Sequence, residues 1–248
     1  MLHRYPIKKS PFSSHAWLIK EIRNQGTSFK KSDSKIRILD FGCADAEYLE
    51  IATRDLTDVF EIYGIEPNPE DANKAKQRGF TIFEEDPMQS LEKLKDERFD
   101  IFILADILEH LSNPDDLIEK LIKMSHETSV FLISIPNIVF LPVRIQILFG
   151  SFEYTSRGPL DRTHLRFFTM KTVKKLIYEN NLQIDKLFVS SPPFEIFVSQ
   201  YMKNRLIVGI INVLEYLTRP VVTLFPRLLG YQFLIRARRS EELVYKRN

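Results

Sequence analysis

Cysteine is almost missing from this chain: Cys43 is the only one in 248 residues. That excludes an intramolecular disulfide and a cysteine-clustered zinc site, and it fits a reducing compartment, so a cytoplasmic location is expected. A surplus of charge is lacking too. Lys and Arg number 35 against 33 Asp and Glu, a formal net charge of +2, which is too little to gather nucleic acid along a face, and no nucleic-acid partner is expected. Long apolar runs are also absent. The most apolar neighbourhood, 194–217, is interrupted by Lys203, Asn204 and Arg205, leaving too short a stretch to span a bilayer. The basic start MLHRYPIKK has no continuous apolar stretch behind it of the kind a secretory signal needs. No nucleophilic triad or metal-ligand cluster stands out, and no metal is expected.

What is present is apolar residue in quantity, 44% of the chain, enough for one well-packed domain. From Lys35 a regular alternation begins. IRILDFG reads as a strand ending in an acidic residue and a glycine turn, followed by a helix over 46–53. VFEIYGI at 59–65 is a second strand that ends at Glu66, and 70–77 is a helix stopped by Gly79. A third strand is expected at 80–83, a short helix at 91–94, and a fourth strand at 99–106, FDIFILAD, whose unbroken apolar character predicts burial on both faces. Asn113 as cap and Pro114 at the first position predict a helix to about 124, and SVFLISIPN, 129–137, a fifth strand. Strands alternating with helices predict an α/β, doubly wound, mostly parallel sheet with helices on both faces and its ligand at the strands' carboxyl ends.

The sites follow from that placement. Asp40 closes the first strand, Gly42 permits a left-handed turn, and small residues continue through Ala44 and Ala46. Glu66 follows the second strand 26 positions later, where a nucleotide-binding unit sets a carboxylate against ribose hydroxyls. Ala44 and Ala46 occupy two of the three positions where a dinucleotide's pyrophosphate would need glycine, so a cofactor without phosphate fits better. His110 lies beside the fourth strand's end and His164 in the later segment DRTHLRFFT. Either imidazole is placed to take a proton from an acceptor or to tie its loop through a backbone hydrogen bond. For Arg166 the structural role is favoured.

The order DFGCADA, YGIEPN, FDIFILADILEHLSNPDDL, FLISIPN resembles the class I S-adenosylmethionine-dependent methyltransferases, over roughly 36–187. It is most similar to the branch with an LEH segment after strand four and a THLRFFT segment later. The resemblance implies a Rossmann-like, seven-stranded sheet and S-adenosyl-L-methionine as cofactor. It also implies Asp40 and Gly42 at the methionine end, Ala44 among the cofactor-binding residues, Glu66 on the ribose, Asp86 at the adenine amino group, and Ala105 and Asp106 flanking the cofactor; His110 and His164 remain the catalytic candidates that their placement gives. Two departures accompany it: Ala44 and Ala46 stand where the family generally has glycine, and His126-Glu127-Thr128 replaces a Pro-Gly-Gly turn. The implied activity is methylation of oxygen or nitrogen on a small-molecule or glycan-type acceptor.

A second resemblance, carried by SIPNIVFLPVRIQILFG and Arg157-Gly158-Pro159, is to the W protein family of methionine biosynthesis. It implies instead a non-catalytic, methyltransferase-fold partner of a biosynthetic acyltransferase.

The remaining expectations concern the periphery. Residues 1–34 are expected to form an N-terminal helical extension or lid on a domain at 35–240, with 241–248 a tail. The long link 137–161 is expected to roof the acceptor pocket, with Phe152, Tyr154 and Arg157 as possible contacts. A helix over 170–180, a strand over 182–190 and a closing edge strand at 231–237 (YQFLIRA) complete the sheet. Between the last two strands, 192–230 is expected to be a helical insertion, packed on its own domain or a second copy in a homodimer, or meeting a membrane face or lipid-linked acceptor through its basic residues.

Overall fold

The computed structural model describes residues 10–28, 34–192 and 205–240. The expected tail at 241–248, and residues 193–204 of the expected insertion, lie outside the described residues.

The first half alternates as the apolar pattern predicts. Helix α1 (Ser14–Ser28) leads into β1 (Ile36–Phe41), α2 (Glu47–Thr53), β2 (Phe60–Ile65), α3 (Pro69–Gln77), β3 (Thr81–Phe83) and α4 (Pro87–Lys93). Then come β4 (Phe99–Ala105), a 3-10 turn (Leu108–His110), α5 (Pro114–Lys123) and β5 (Ser125–Pro136). The second half holds α6 (Leu141–Leu148), α7 (Met170–Glu179), β6 (Leu182–Val189), α8 (Arg205–Leu224), α9 (Pro226–Leu229) and β7 (Gln232–Arg239). The seven strands form one sheet in the order β3-β2-β1-β4-β5-β7-β6. β1 to β5 are mutually parallel, and β7 runs antiparallel to both β5 and β6.

Alternation along the central strands sends side chains to two cores. Leu39, Phe102, Leu104, Phe131 and Ile133 pack with Leu117, Leu121, Val173 and Ile177 of α5 and α7. Ile38, Ile101, Ile103 and Leu132 face the other way, against Leu18 and Ile22 of α1 and Leu49 and Ala52 of α2. Each fully buried aliphatic contributes about 1.5–3 kcal/mol before entropy is counted, and the two layers hold helices against both faces of the sheet. Helix α1 is thereby built into the second core.

Five elements differ from the sequence reading. The segment YQFLIRA is not an edge: β7 pairs with β5 and β6 at once, Ile235 standing opposite both Ile133 and Leu187. The edge is β6, whose Gln183, Asp185 and Lys186 suit solvent where the buried run Phe233-Leu234-Ile235 does not. Helix α4 begins earlier than expected, because Asp86 caps it through the Met88 and Gln89 amides and Pro87 sits in its first turn. Asn113, expected as a cap for α5, makes no side-chain capping bond. Strand β5 starts at Ser125, with an irregularity in its pairing to β4 between Phe99 and Ile101. The link after β5 contains α6, which the sequence reading left without a helix.

Candidate functional site

The turn after β1 is shaped by backbone conformation. Gly42 sits at φ +81°, and a Cβ there would meet Ile107 Cδ1 at 2.3 Å, so β4's end touches the turn. Ala44 and Ala46 also adopt left-handed conformations, φ +47° and +54°, at a cost of about 1–2 kcal/mol each for an L-residue. The turn therefore keeps a glycine-like path with alanine in it. Gly64 on β2 makes room for it, since a Cβ there would lie 2.5 Å from Cys43 Sγ.

Glu66 ties this turn to the next. The Ala44 N–H donates to its Oε2 at 2.9 Å and the Asn68 N–H to its Oε1 at 2.8 Å. Burial raises its pKa and the two amides oppose the shift. Asp40, at the end of β1, is only 1% exposed. The Tyr48 hydroxyl donates to its Oδ2, while Oδ1 is buried with no hydrogen-bond partner among the described residues. Burial pushes the Asp40 carboxyl up to about 7, against the Tyr48 bond that lowers it, and the Glu66 charge adds to the rise. Tyr48 stacks on His15 of α1, ring centroids 5.7 Å apart. Sequence reasoning missed both residues; Tyr48 is the second residue of α2, where only the fold sets it beneath Asp40.

Across the turn, half-buried Ala105 ends β4 and Asp106 follows at φ +55°. The Asp106 carboxylate accepts from Ser134 Oγ at 2.8 Å and from Gln232 Nε2 at 2.6 and 2.7 Å, so it locks β4 to β5 and β7. Those partners were also invisible in the sequence, because β7's central position was. Asp86 is exposed, and its capping bonds use Oδ1 alone.

The histidines come together although 54 positions separate them. Asp161 holds the turn before His164 by accepting from the Thr163 N–H and hydroxyl. The Leu165 and Arg166 amides donate to the Glu109 carbonyl at 2.8 and 3.0 Å, clamping DRTHLRFFT onto the 3-10 turn. The His110 and His164 rings meet edge-on at 4.8 Å. His110 Nδ1 lies 3.2 Å from the Thr163 carbonyl and His164 Nδ1 3.3 Å from that of Pro159. Burial first, then the His110 charge, lowers the His164 pKa. Glu109, with no role in the sequence reading, is buried beside them, and one ligand atom from each of Glu109, His110 and His164 lies within 4.8 Å of the others. The Arg166 guanidinium bonds the Ser112 carbonyl. Phe152 and Tyr154 are exposed and pack edge-on with Phe167 and each other, respectively, at 6.0 and 5.7 Å.

A family described as "Methyltransferase domain" matches residues 17–187. The chain belongs to the class I S-adenosylmethionine-dependent methyltransferases. S-adenosylmethionine is the methyl donor of that family. Among solved structures, this methyltransferase is similar to an S-adenosylmethionine-dependent methyltransferase from Archaeoglobus fulgidus, TM-score 0.56 at 20% identity, over 91% of this chain and 94% of that one. It is similar as well to a plantazolicin methyltransferase solved with a desmethylplantazolicin analogue and S-adenosylhomocysteine, TM-score 0.56 at 17% identity, over 94% and 87%. A third is the O-methyltransferase of a trans-AT polyketide synthase from Brevibacillus brevis, solved with S-adenosylhomocysteine, TM-score 0.50 at 17% identity, over 93% and 76%. At these identities the likeness is one of fold. No curated protein matches the sequence. Among the described residues, no helix is long and apolar enough to cross a membrane.

Proposed function

We propose that the protein binds S-adenosylmethionine across the β1 and β2 turns and transfers its methyl group to oxygen or nitrogen of a glycan-type or small-molecule acceptor, presented at a lipid surface. The observation that carries the cofactor reading is the unpartnered, buried Asp40 Oδ1. A buried carboxylate oxygen left without a donor is costly, and the ammonium of a methionine moiety supplies the donor and the charge. Glu66 spends one lone pair of each oxygen on backbone amides, which leaves capacity for two ribose hydroxyls. Asp86 keeps Oδ2 for an adenine amino group, and Gly42, Ala44, Ala105 and Asp106 provide the walls.

The sulfonium supplies an activated methyl. The chain's own work is to align the acceptor, exclude water and receive the acceptor's proton. His164, buried and edge-on to His110, is the group we assign to that proton, with His110 orienting it.

The lipid-surface part rests on α8. Its inward stripe is Glu215, Arg219 and Val222: Glu215 accepts from the Ser10 hydroxyl, and Arg219 donates to the Val189 carbonyl at 2.8 Å and lies over the Phe12 ring. Its outward stripe is Val213, Leu214, Leu217, Val221 and Leu224, all exposed. A helix that anchors itself through polar groups and exposes aliphatic ones suits an apolar phase better than water. The α6 end adds Leu148 and Phe149, each more than four-fifths exposed.

The test is methyl-labelled S-adenosylmethionine with lipid-linked and water-soluble glycan fractions as acceptors. Label carried into the lipid-linked fraction, and lost with Glu66→Ala, is expected. No transfer to either, with no cofactor binding, would favour the non-catalytic partner protein.

A further inference from the structure

We infer that Glu109, His110 and His164 form a binding site for one divalent first-row transition ion of the zinc or cobalt type. The three side chains offer two imidazole nitrogens and a carboxylate oxygen, a donor set such ions take in preference to magnesium or calcium. Both histidines are arranged as ligands are: each sets Nδ1 against a backbone carbonyl, Thr163 at 3.2 Å and Pro159 at 3.3 Å. With Nδ1–H donating there, the tautomer is fixed and the Nε2 lone pair is left for a metal, which when bound would take that lone pair from the His164 base role and would itself polarise the acceptor.

The spacing points the same way. His164 Nε2 and Glu109 Oε1 stand 3.9 Å apart, beyond hydrogen-bonding reach, and one ligand atom from each of the three residues lies within 4.8 Å of the others. Ligands about 2.1 Å from a tetrahedral ion sit roughly 3.4 Å apart, so occupancy requires only a modest inward movement of the side chains. The scaffold is stiff where it must be, since the Leu165 and Arg166 amides hold the His164 segment against the Glu109 carbonyl. Three protein ligands leave a position open, as metal sites that engage a further ligand do. The site lies beside the end of β4 and is independent of the Asp40–Glu66 turns, so it stands or falls apart from the cofactor reading.

The test is titration of the chelator-treated full chain with Co2+, followed by its visible absorption and by calorimetry, without S-adenosylmethionine. Expected are one ion per chain and at least about a tenfold loss of affinity in Glu109→Gln and in His110→Gln, with exposed His126→Gln binding as the parent does. His110→Cys should keep the ion and add a sulfur-to-cobalt charge-transfer band. Failure of the folded parent to bind Co2+ saturably, or equal affinity in Glu109→Gln and His110→Gln variants that melt like the parent, would overturn the assignment.

Discussion

Ala44 and Ala46 hold conformations that glycine adopts freely, and their methyl groups make two consequences measurable. Ala44 is only half-buried, so Ala44→Gly removes left-handed strain with little lost packing and should stabilise the protein by about 1 kcal/mol; a urea unfolding series checks it. Gly42→Ala should do the reverse, costing about 2 kcal/mol or more, because its φ and the Ile107 side chain both oppose a Cβ. Asp40 gives a pH signature. Its carboxyl is raised to about 7 in the fold by burial, against about 3.9 in an unfolded chain. The unfolded state therefore loses this proton first, and the residue's contribution to stability falls as pH rises through that window. Relative to the parent, Asp40→Asn should gain melting temperature progressively from about pH 4 to about pH 7 and then level off. A difference that does not change with pH would contradict the assignment of a charged, buried Asp40. The placement of Asp40, Gly42 and Glu66 at strand ends was legible in the sequence, because the apolar runs that form β1 and β2 stop at these residues. Tyr48, Ser134, Gln232 and Glu109 were not, since each reaches the site through a contact between elements distant in the chain.

Helix α8 turns Val213, Leu214, Leu217, Val221 and Leu224 outward. If its outward aliphatic stripe meets a lipid surface, Leu217→Glu with Leu224→Glu should abolish sedimentation with anionic phospholipid vesicles while leaving the melting temperature within about 2 °C, since exposed positions cost little. Vesicle binding that survives both changes would remove α8 from the interface. The sequence showed this segment's apolar content but not its orientation, because the stripe that packs inward is defined by Glu215 and Arg219, which periodicity of apolar residues does not register. The parallel half of the sheet was readable for the opposite reason: its strands are short apolar runs bounded by turn residues. The order of β6 and β7 was misread although composition hinted at it, with Asp185 and Lys186 in the edge strand and an unbroken Phe233-Leu234-Ile235 in the buried one. Helix α6 was missed because Pro142 and a uniformly apolar stretch give no helical period.

At the scale of the whole molecule, two helical layers fix the central strands so that the ends of β1, β2 and β4 present one face of polar groups, and β7 closes the sheet by tying Gln232 to Asp106. We propose that this face holds S-adenosylmethionine through Asp40 and Glu66. Calorimetric titration of the purified chain with S-adenosylhomocysteine tests it most directly, beside Asp40→Asn and Glu66→Ala variants shown to be folded. We predict binding in the micromolar range, on the order of 8 kcal/mol, that strengthens from about pH 6 to about pH 7.5 as Asp40 ionises and weakens at least about tenfold in each variant. Absence of binding by the folded parent, or undiminished binding by both variants, would contradict it.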